Sequence, residues 1–329
     1  MAGKMTAQSA TDLAQSLLTC GDRAGAVAIA NSAAARGDAD AIFMIAIWRL
    51  IGDPVPRDLP IARDLLARAR QDGHRDAALT EVALTANGAG APADWSAALA
   101  LIERAAPHDE IAAHHLALVQ AMNLLPDGAP RELPSCDRLS DSPRVRIFRS
   151  AFTPDECAHL AQAVADIIEP SVVVDPATGR HVQHPIRTSD GAVIGPTRES
   201  LAVTAINRRI AAMAGIDIQQ GEPIQVLRYA PGQQYRLHSD ALPGIGNQRI
   251  ATAIIYLNQG FVGGETDFPD LRIRVVPRGG DTIIFDNVLP DGRPDPRTRH
   301  AGLPISQGMK WVATRWIRAH PYDPWTAGS

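Results

Sequence analysis

Cysteine is scarce in this sequence. Cys20, Cys136 and Cys157 are spread along 329 residues, and no two stand in a CxxC spacing. Three distant thiols argue against a disulfide framework and for reduced cysteines. Long apolar runs are also missing: none approaches the roughly 20 residues that a membrane span needs. The opening stretch MAGKMTAQSATDLAQSLLTCGDRAG has no sustained apolar core, because Gln, Ser, Thr and Asp interrupt it, so no signal peptide is expected. Charge of one sign is not in excess. The formal net charge is −4 and the sequence pI is about 6.2. There is thus no global basic field of the kind that points to nucleic acid or an anionic membrane, although a local basic groove stays open. These absences predict a cytoplasmic protein with no membrane and no nucleic-acid partner. The length, at 329 residues, is enough for two domains.

What is abundant is alanine, concentrated in the first third, and it repeats. Gly37 recurs 36 residues on as Gly73, and Gly52 as Gly88. Asp58 recurs as Asp94, Ala26 as Ala62 and Ala98, Ala33 as Ala69 and Ala105, and Ala41 as Ala77 and Ala113. A fixed period of this size marks a repeat architecture. Each unit reads as two helices. AIFMIAIWRLIG is apolar at helical spacing and stops at Gly52. After the turn DPVPR, DLPIARDLLARARQDG is amphipathic, with Ile61, Leu65, Leu66 and Ala69 on one side. Small residues at fixed positions, a Gly-containing turn and an Asp at the start of the second helix resemble the Sel1-like branch of the tetratricopeptide family. The match runs from about Asp12 to Leu125. Stacks of this kind expose a concave face and bind peptides or proteins. His108, His114 and His115 do not read as a metal site, since neighbours on a helix point about 100° apart.

The stretch Leu124 to Pro143 holds four prolines and reads as a linker. Beyond it the pattern changes. RVRIFRSAF alternates like a strand, and Thr153 or Asp155 can cap a helix beginning near Pro154. IQVLRYA, RIATAIIYLN, LRIRVVP, GDTIIFDN and KWVATRWIRAH are short, β-branched or aromatic segments separated by Gly and Pro. Many short strands after a helix predict a jelly roll with helices outside it. The expected organisation is an all-α helical repeat over residues 1–125, a linker over 126–143, and a sheet domain over 144–325.

The sheet domain carries the chemistry. His238 and Asp240 are two apart in RYAPGQQYRLHSDAL, and positions i and i+2 of a strand share a face. His300 follows 62 residues after His238. Two histidines and one carboxylate form a facial triad that leaves metal positions open, as a non-haem Fe(II) oxygenase needs. Structural zinc favours thiolates and a closed shell, and no cysteine lies near these three. Lys310 stands ten residues after His300, at the start of a strand. A buried lysine there needs an anion.

RYAPGQQYRLHSD, YLN, GGETDFP, GDTIIFDN and HAGLPISQGMKWVATRW occur in the order seen in prolyl 4-hydroxylase-type Fe(II) and 2-oxoglutarate dependent dioxygenases, which the chain resembles from Arg144 to about Trp316. FTPDECAHLA and RTSDG fit the same resemblance. It implies a double-stranded β-helix and a hydroxylase that uses Fe(II), 2-oxoglutarate and O2, with ascorbate as an accessory. It implies that His238, Asp240 and His300 bind iron, and that Lys310 and Thr266 hold the distal carboxylate of 2-oxoglutarate. Tyr229 would contact the cosubstrate through its hydroxyl, and Arg187 would face a peptide substrate. The implied reaction hydroxylates a residue, foremost proline, in a peptide or protein, releasing succinate and CO2. Hydroxylation of another residue or of a free amino acid stays open, as does a silent, repeat-based binding protein or a cupin-type enzyme without 2-oxoglutarate. Gly263 and Gly264 read as close backbone approaches, Trp311 and Trp316 as core, and Asp281 and Asp286 as turn residues. Loops 174–197 and 287–299 would shape substrate choice, with His181 and His184 as plain loop residues.

Overall fold

The structure is a computed structural model that describes residues 9–174, 181–183, 186–242 and 244–325. It divides into two compact units. The first ends at Gly128 and also takes in Glu199–Thr204; the second begins at Ala129.

Up to Gly128, the described residues of the first unit form the α-helices α1 Ala10–Thr19, α2 Arg23–Ala35, α3 Ala39–Ile51, α4 Leu59–Gln71, α5 Arg75–Asn87, α6 Trp95–Ala105 and α7 Glu110–Ala121. Each packs on the next in the chain. The 36-residue period is first of all a capping period. Asp22, Asp58 and Asp94 start α2, α4 and α6, and each side chain accepts a hydrogen bond from the third backbone N–H of its helix. Each such cap stabilises a helix by about 1 kcal/mol. Gly52 and Gly88 end α3 and α5 in the left-handed conformation, φ 85° and 83°, which glycine adopts without strain. Ala26, Ala62 and Ala98 are fully buried, so successive helices approach closely. The period slips at the end. Asp109 caps α7, and Ala112 takes the buried place expected of Ala113. Ile61 also departs from expectation: it is 44% exposed, while Ala62, Leu66 and Ala69 face the core.

The second unit is built on antiparallel sheets. Its strands are β1 Cys136–Asp141, β2 Arg144–Phe148, β3 Glu169–Pro170, β4 Val172–Val174, β5 His181–Gln183, β6 Asp190–Val193, β7 Gln225–Tyr229 and β8 Tyr235–His238. They continue with β9 Arg249–Tyr256, β10 Val262–Gly263, β11 Thr266–Phe268, β12 Ile273–Val275, β13 Thr282–Asp286, β14 His300–Gly302, β15 Ile305–Gln307 and β16 Lys310–Arg318. An eight-stranded sheet runs β1-β2-β13-β9-β16-β7-β6-β3, and a four-stranded sheet runs β12-β11-β14-β8. Tyr256, Ile283, Phe285 and Val312 of the large sheet share one apolar core with Phe268 and Val275 of the small one. This is the jelly roll expected of the double-stranded β-helix fold class, preceded by the helical repeat.

Helix α8, Pro154–Gln162, starts at Thr153 with a capping box to Glu156, as the FTPDE stretch predicts, but ends after nine residues. Three features differ from expectation. The linker reading of 126–143 is too long, because Cys136–Asp141 pairs with β2 as an edge strand. Helix α9, Leu201–Ala214, has no counterpart in the sequence expectations. The 174–197 segment is not one irregular loop: β4 pairs with β5 through Val174 and His181, so the backbone at His181 is strand, and β6 joins the large sheet. His184 and the rest of that loop's tip lie outside the described residues.

Candidate metal and 2-oxoglutarate site

Strand β14 lies between β11 and β8 and sets His300 directly opposite His238 in the ladder. Asp240 does not share that strand: β8 ends at His238, and the carboxylate enters from the turn beyond it. His238 and Asp240 are thus neighbours, as expected, but a turn and not a shared strand face brings them together. The three side chains are buried, and one candidate ligand atom from each lies within 4.8 Å of the others. His238 Nε2 is 3.6 Å from one Asp240 oxygen, and His300 Nε2 is 3.8 Å from the other. Those separations are too long for hydrogen bonds. They suit atoms that each sit about 2.1 Å from one shared ion.

The backbone fixes which nitrogen each ring offers. His238 Nδ1 meets the Arg236 carbonyl at 2.8 Å, and His300 Nδ1 meets the Thr298 carbonyl at 3.2 Å. A carbonyl only accepts, so each Nδ1 carries the hydrogen and each Nε2 keeps its lone pair for a metal. Burial pushes the His300 imidazole down to about 4, which keeps it neutral at ordinary pH. For Asp240, burial acts to raise the pKa. The nearby His300 and His238 and the Thr252 hydroxyl outweigh it and hold the carboxyl well below the usual carboxylate range. Thr252 donates to Asp240 at 2.7 Å, and the Asn287 amide donates to Thr252 at 2.9 Å, so that amide orients the hydroxyl toward the carboxylate.

The same pocket is lined by Lys310, Thr266 and Tyr229. Lys310 is the ladder partner of Tyr229 across β16 and β7. Lys310 is 4% exposed, and its ammonium donates to the Gly264 carbonyl at 2.6 Å. No carboxylate lies within ion-pair distance among the described residues. Burial pushes its pKa down to about 8. Gly263 and Gly264 both have positive φ, and a Cβ at Gly264 would run into Ile305 and the Lys310 side chain. The close approach that brings this carbonyl to Lys310 is thus one only glycine permits. Thr266 accepts a hydrogen bond from the buried Tyr256 hydroxyl at 2.8 Å.

Arg187 does not line this pocket but packs on Tyr235, which does. Its guanidinium donates to Gln225 at 2.9 Å and lies 5.6 Å from the centre of the Tyr235 ring. Tyr235 in turn stacks on His238 at 3.5 Å and 12°. Trp311 is half-buried against Arg228, but Trp316 is not plain core. It lines the pocket, and its buried indole N–H has no hydrogen-bond partner among the described residues. Asp281 and Asp286 are structural: they pair with Arg149 and Arg144 at 2.9 and 2.8 Å.

Tyr235, Tyr256, Thr252, Asn287 and Trp316 are absent from the sequence-predicted site. Strand alternation carries the missing signal for most of them. Thr252, Ile254 and Tyr256 are spaced by two on β9, as are Lys310, Val312, Thr314 and Trp316 on β16, and each set presents its face to the pocket or to its ligands.

The donor set fits an iron(II) ion held by two histidines and a carboxylate, with further positions open. The buried Lys310, without a carboxylate partner among the described residues, fits an anion in the same pocket. The family model of the 2OG-Fe(II) oxygenase superfamily matches residues 224–318, which contain every one of these groups except Arg187. Prolyl 4-hydroxylase 1 of Arabidopsis thaliana is 36% identical over 199 residues, covering 55% of this chain and 70% of that protein. Probable prolyl 4-hydroxylase 10 of the same plant is 32% identical over 208 residues, covering 56% and 72%. Among solved structures, the viral collagen prolyl hydroxylase of Paramecium Bursaria Chlorella virus-1 in its 2OG complex aligns at a TM-score of 0.45 with 28% identity, covering 55% of this chain and 99% of that one.

Proposed function

Because the chain belongs to the prolyl 4-hydroxylase family of 2OG-Fe(II) oxygenases, we propose that its second unit hydroxylates prolyl residues in a peptide or protein, with Fe(II) held by His238, Asp240 and His300. When bound, iron with 2-oxoglutarate and O2 supplies an oxidant that converts C–H to C–OH while succinate and CO2 leave. The protein's own groups do the rest. The two Nδ1–H bonds to backbone carbonyls aim the imidazoles, and Thr252 holds Asp240 ionised and oriented. Lys310 and Thr266 take the distal carboxylate, with Tyr256 turning the Thr266 hydroxyl and Tyr229 closing the pocket wall. Arg187, fixed against Gln225 and Tyr235, faces the peptide. Ascorbate would return iron to the ferrous state after an uncoupled turnover.

The observation that carries this reading is Lys310. A buried ammonium without a carboxylate partner, lining the same pocket as a His-Asp-His triad, is costly unless an anion comes to it. Purified protein with Fe(II), 2-oxoglutarate and a proline-containing peptide should form succinate in step with a one-oxygen mass gain on proline. Succinate formation that no proline peptide stimulates would remove the prolyl assignment. The first unit, whose 36-residue period supports a Sel1-like reading, docks the protein that bears the target residue.

A further inference from the structure

The first unit carries a groove that the oxygenase chemistry does not use. It lies where the end of α4, the helices α5 and α6, and the start of α7 meet, and its volume is about 510 Å³. That is the size of a site for a ligand or for several side chains of a peptide, for which roughly 300–1,000 Å³ is usual. Its floor is apolar, with Leu79 and Leu101 half-buried among alanines. Its rim is basic. Arg70, Arg75 and Arg104 line it against a single carboxylate, Asp109, and His74 and His108 add two more nitrogen bases.

These cations are not equally engaged. Arg70 is held by Glu81 at 2.6 Å. Arg75 stands 3.4 Å from both Asp76 and Asp109. Asp109 is itself occupied in capping α7 through the Ala112 N–H. Arg104 and His108 are exposed and have no hydrogen-bond or ion-pair partner among the described residues. His74 meets Asp40 at 3.4 Å, so Arg104 and His108 are the cation and the base of this lining left open to an incoming carboxylate. No Phe, Tyr or Trp lines it, so it offers nothing on which nucleic-acid bases would stack.

We propose that this groove binds an acidic peptide segment of a partner protein, one in which carboxylates alternate with apolar side chains. The apolar residues would lie on Leu79 and Leu101, and the carboxylates would reach Arg104, Arg75 and His108. Charge complementarity of this kind sets partner choice and on-rate more than raw affinity, and it weakens with salt. The inference rests on the reading that the first unit docks a protein, and it names the chemistry of that partner.

The test uses the full chain and two labelled peptides, one alternating Leu with Asp and Glu and one with Asn and Gln in place of the acids. Anisotropy should show the acidic peptide binding at least tenfold tighter at low salt, with the preference lost at high salt. Arg104→Glu should abolish that preference, while uncoupled 2-oxoglutarate turnover stays at the wild-type rate. Equal binding of the two peptides overturns the proposal. If Leu101→Glu then removes binding of both, the first unit still docks peptides, only without reading charge. An unchanged preference in Arg104→Glu together with Arg75→Glu also overturns it, as does tighter binding of a labelled oligonucleotide than of the acidic peptide.

Discussion

His238 and His300 are ladder partners: although far apart in the chain, they face each other across β8 and β14, with ring centres 4.3 Å apart. That one register does most of the work of building the site. A slip of one residue would turn one imidazole to the other side of the small sheet. Phe268 and Phe285 pack on His300 at 5.4 and 4.8 Å, so the metal site is locked to the core that joins the two sheets.

His238→Ala and Asp240→Ala each remove one member of a three-ligand set, and both should abolish succinate formation. Iron binding measured on the same proteins should fall with activity. Full turnover by either variant would refute the triad.

Thr252→Val keeps shape and removes the hydroxyl that donates to Asp240. It also leaves the Asn287 amide without its acceptor. Loss of a group that orients a metal ligand typically costs about 10–100-fold in metal affinity or activity. The expected result is weaker Fe(II) binding at unchanged KM for peptide. Iron affinity equal to wild type would show that Asp240 does not depend on this contact.

Lys310 gives a pH dependence with a definite sign. Burial lowers its pKa to about 8 in the free protein, and binding of a carboxylate favours the charged form. Below pH 8 the ammonium is already present, so the KM for 2-oxoglutarate should be flat. As pH rises through 8, binding must also take up a proton, and KM should climb by up to about tenfold per pH unit. Lys310→Ala should raise KM at every pH and flatten the profile. A wild-type KM that is level from pH 7 to 9.5 would place Lys310 outside the cosubstrate site.

How far the sequence discloses this site depends on what each residue needs. His238, Asp240, His300 and Lys310 are legible because metal and anion chemistry restricts the residue types that can serve. Thr252, Asn287 and Tyr256 are ordinary strand residues by type, and only their pairing partners make them part of the site. Trp316 reads as core because an indole is mostly apolar; the buried N–H facing the pocket appears only in three dimensions. The repeat is legible from Asp58, Asp94, Gly52 and Gly88, since caps are local. Its slip at α7 is not, because the short 3-10 turn Ala106–His108 that takes up the change leaves no clear periodic mark. Helix α9 escapes notice because Ala202, Val203, Ala205 and Ile206 are all buried, so LAVTAI shows no polar face with helical period.

Tyr256→Phe deletes the hydroxyl that donates to Thr266 in a fully buried place. An unpaired buried hydroxyl costs roughly 1–3 kcal/mol. Thr266 would then rotate to find another partner, and the distal carboxylate would lose its aligned donor. The KM for 2-oxoglutarate should rise several-fold with little change in kcat. An equal fall in kcat and kcat/KM would instead point to a role for Tyr256 at the reacting atoms.

The helical unit allows a test of a different kind, on stability. Asp58 and Asp94 occupy equivalent N-caps, accepting from Ile61 and Ala97 at 3.0 and 2.8 Å. Each replacement by Ala should cost about 1 kcal/mol, because one orphan N–H at the start of the helix loses its acceptor. The two caps begin different helices, α4 and α6, which pack through the intervening α5 rather than sharing a hydrogen-bond partner. The double variant should therefore lose close to the sum of the single effects. Urea unfolding followed by helical circular dichroism reads this directly. A double variant no less stable than either single one would show that the repeats do not depend on these caps, and the 36-residue spacing of aspartates would need another cause.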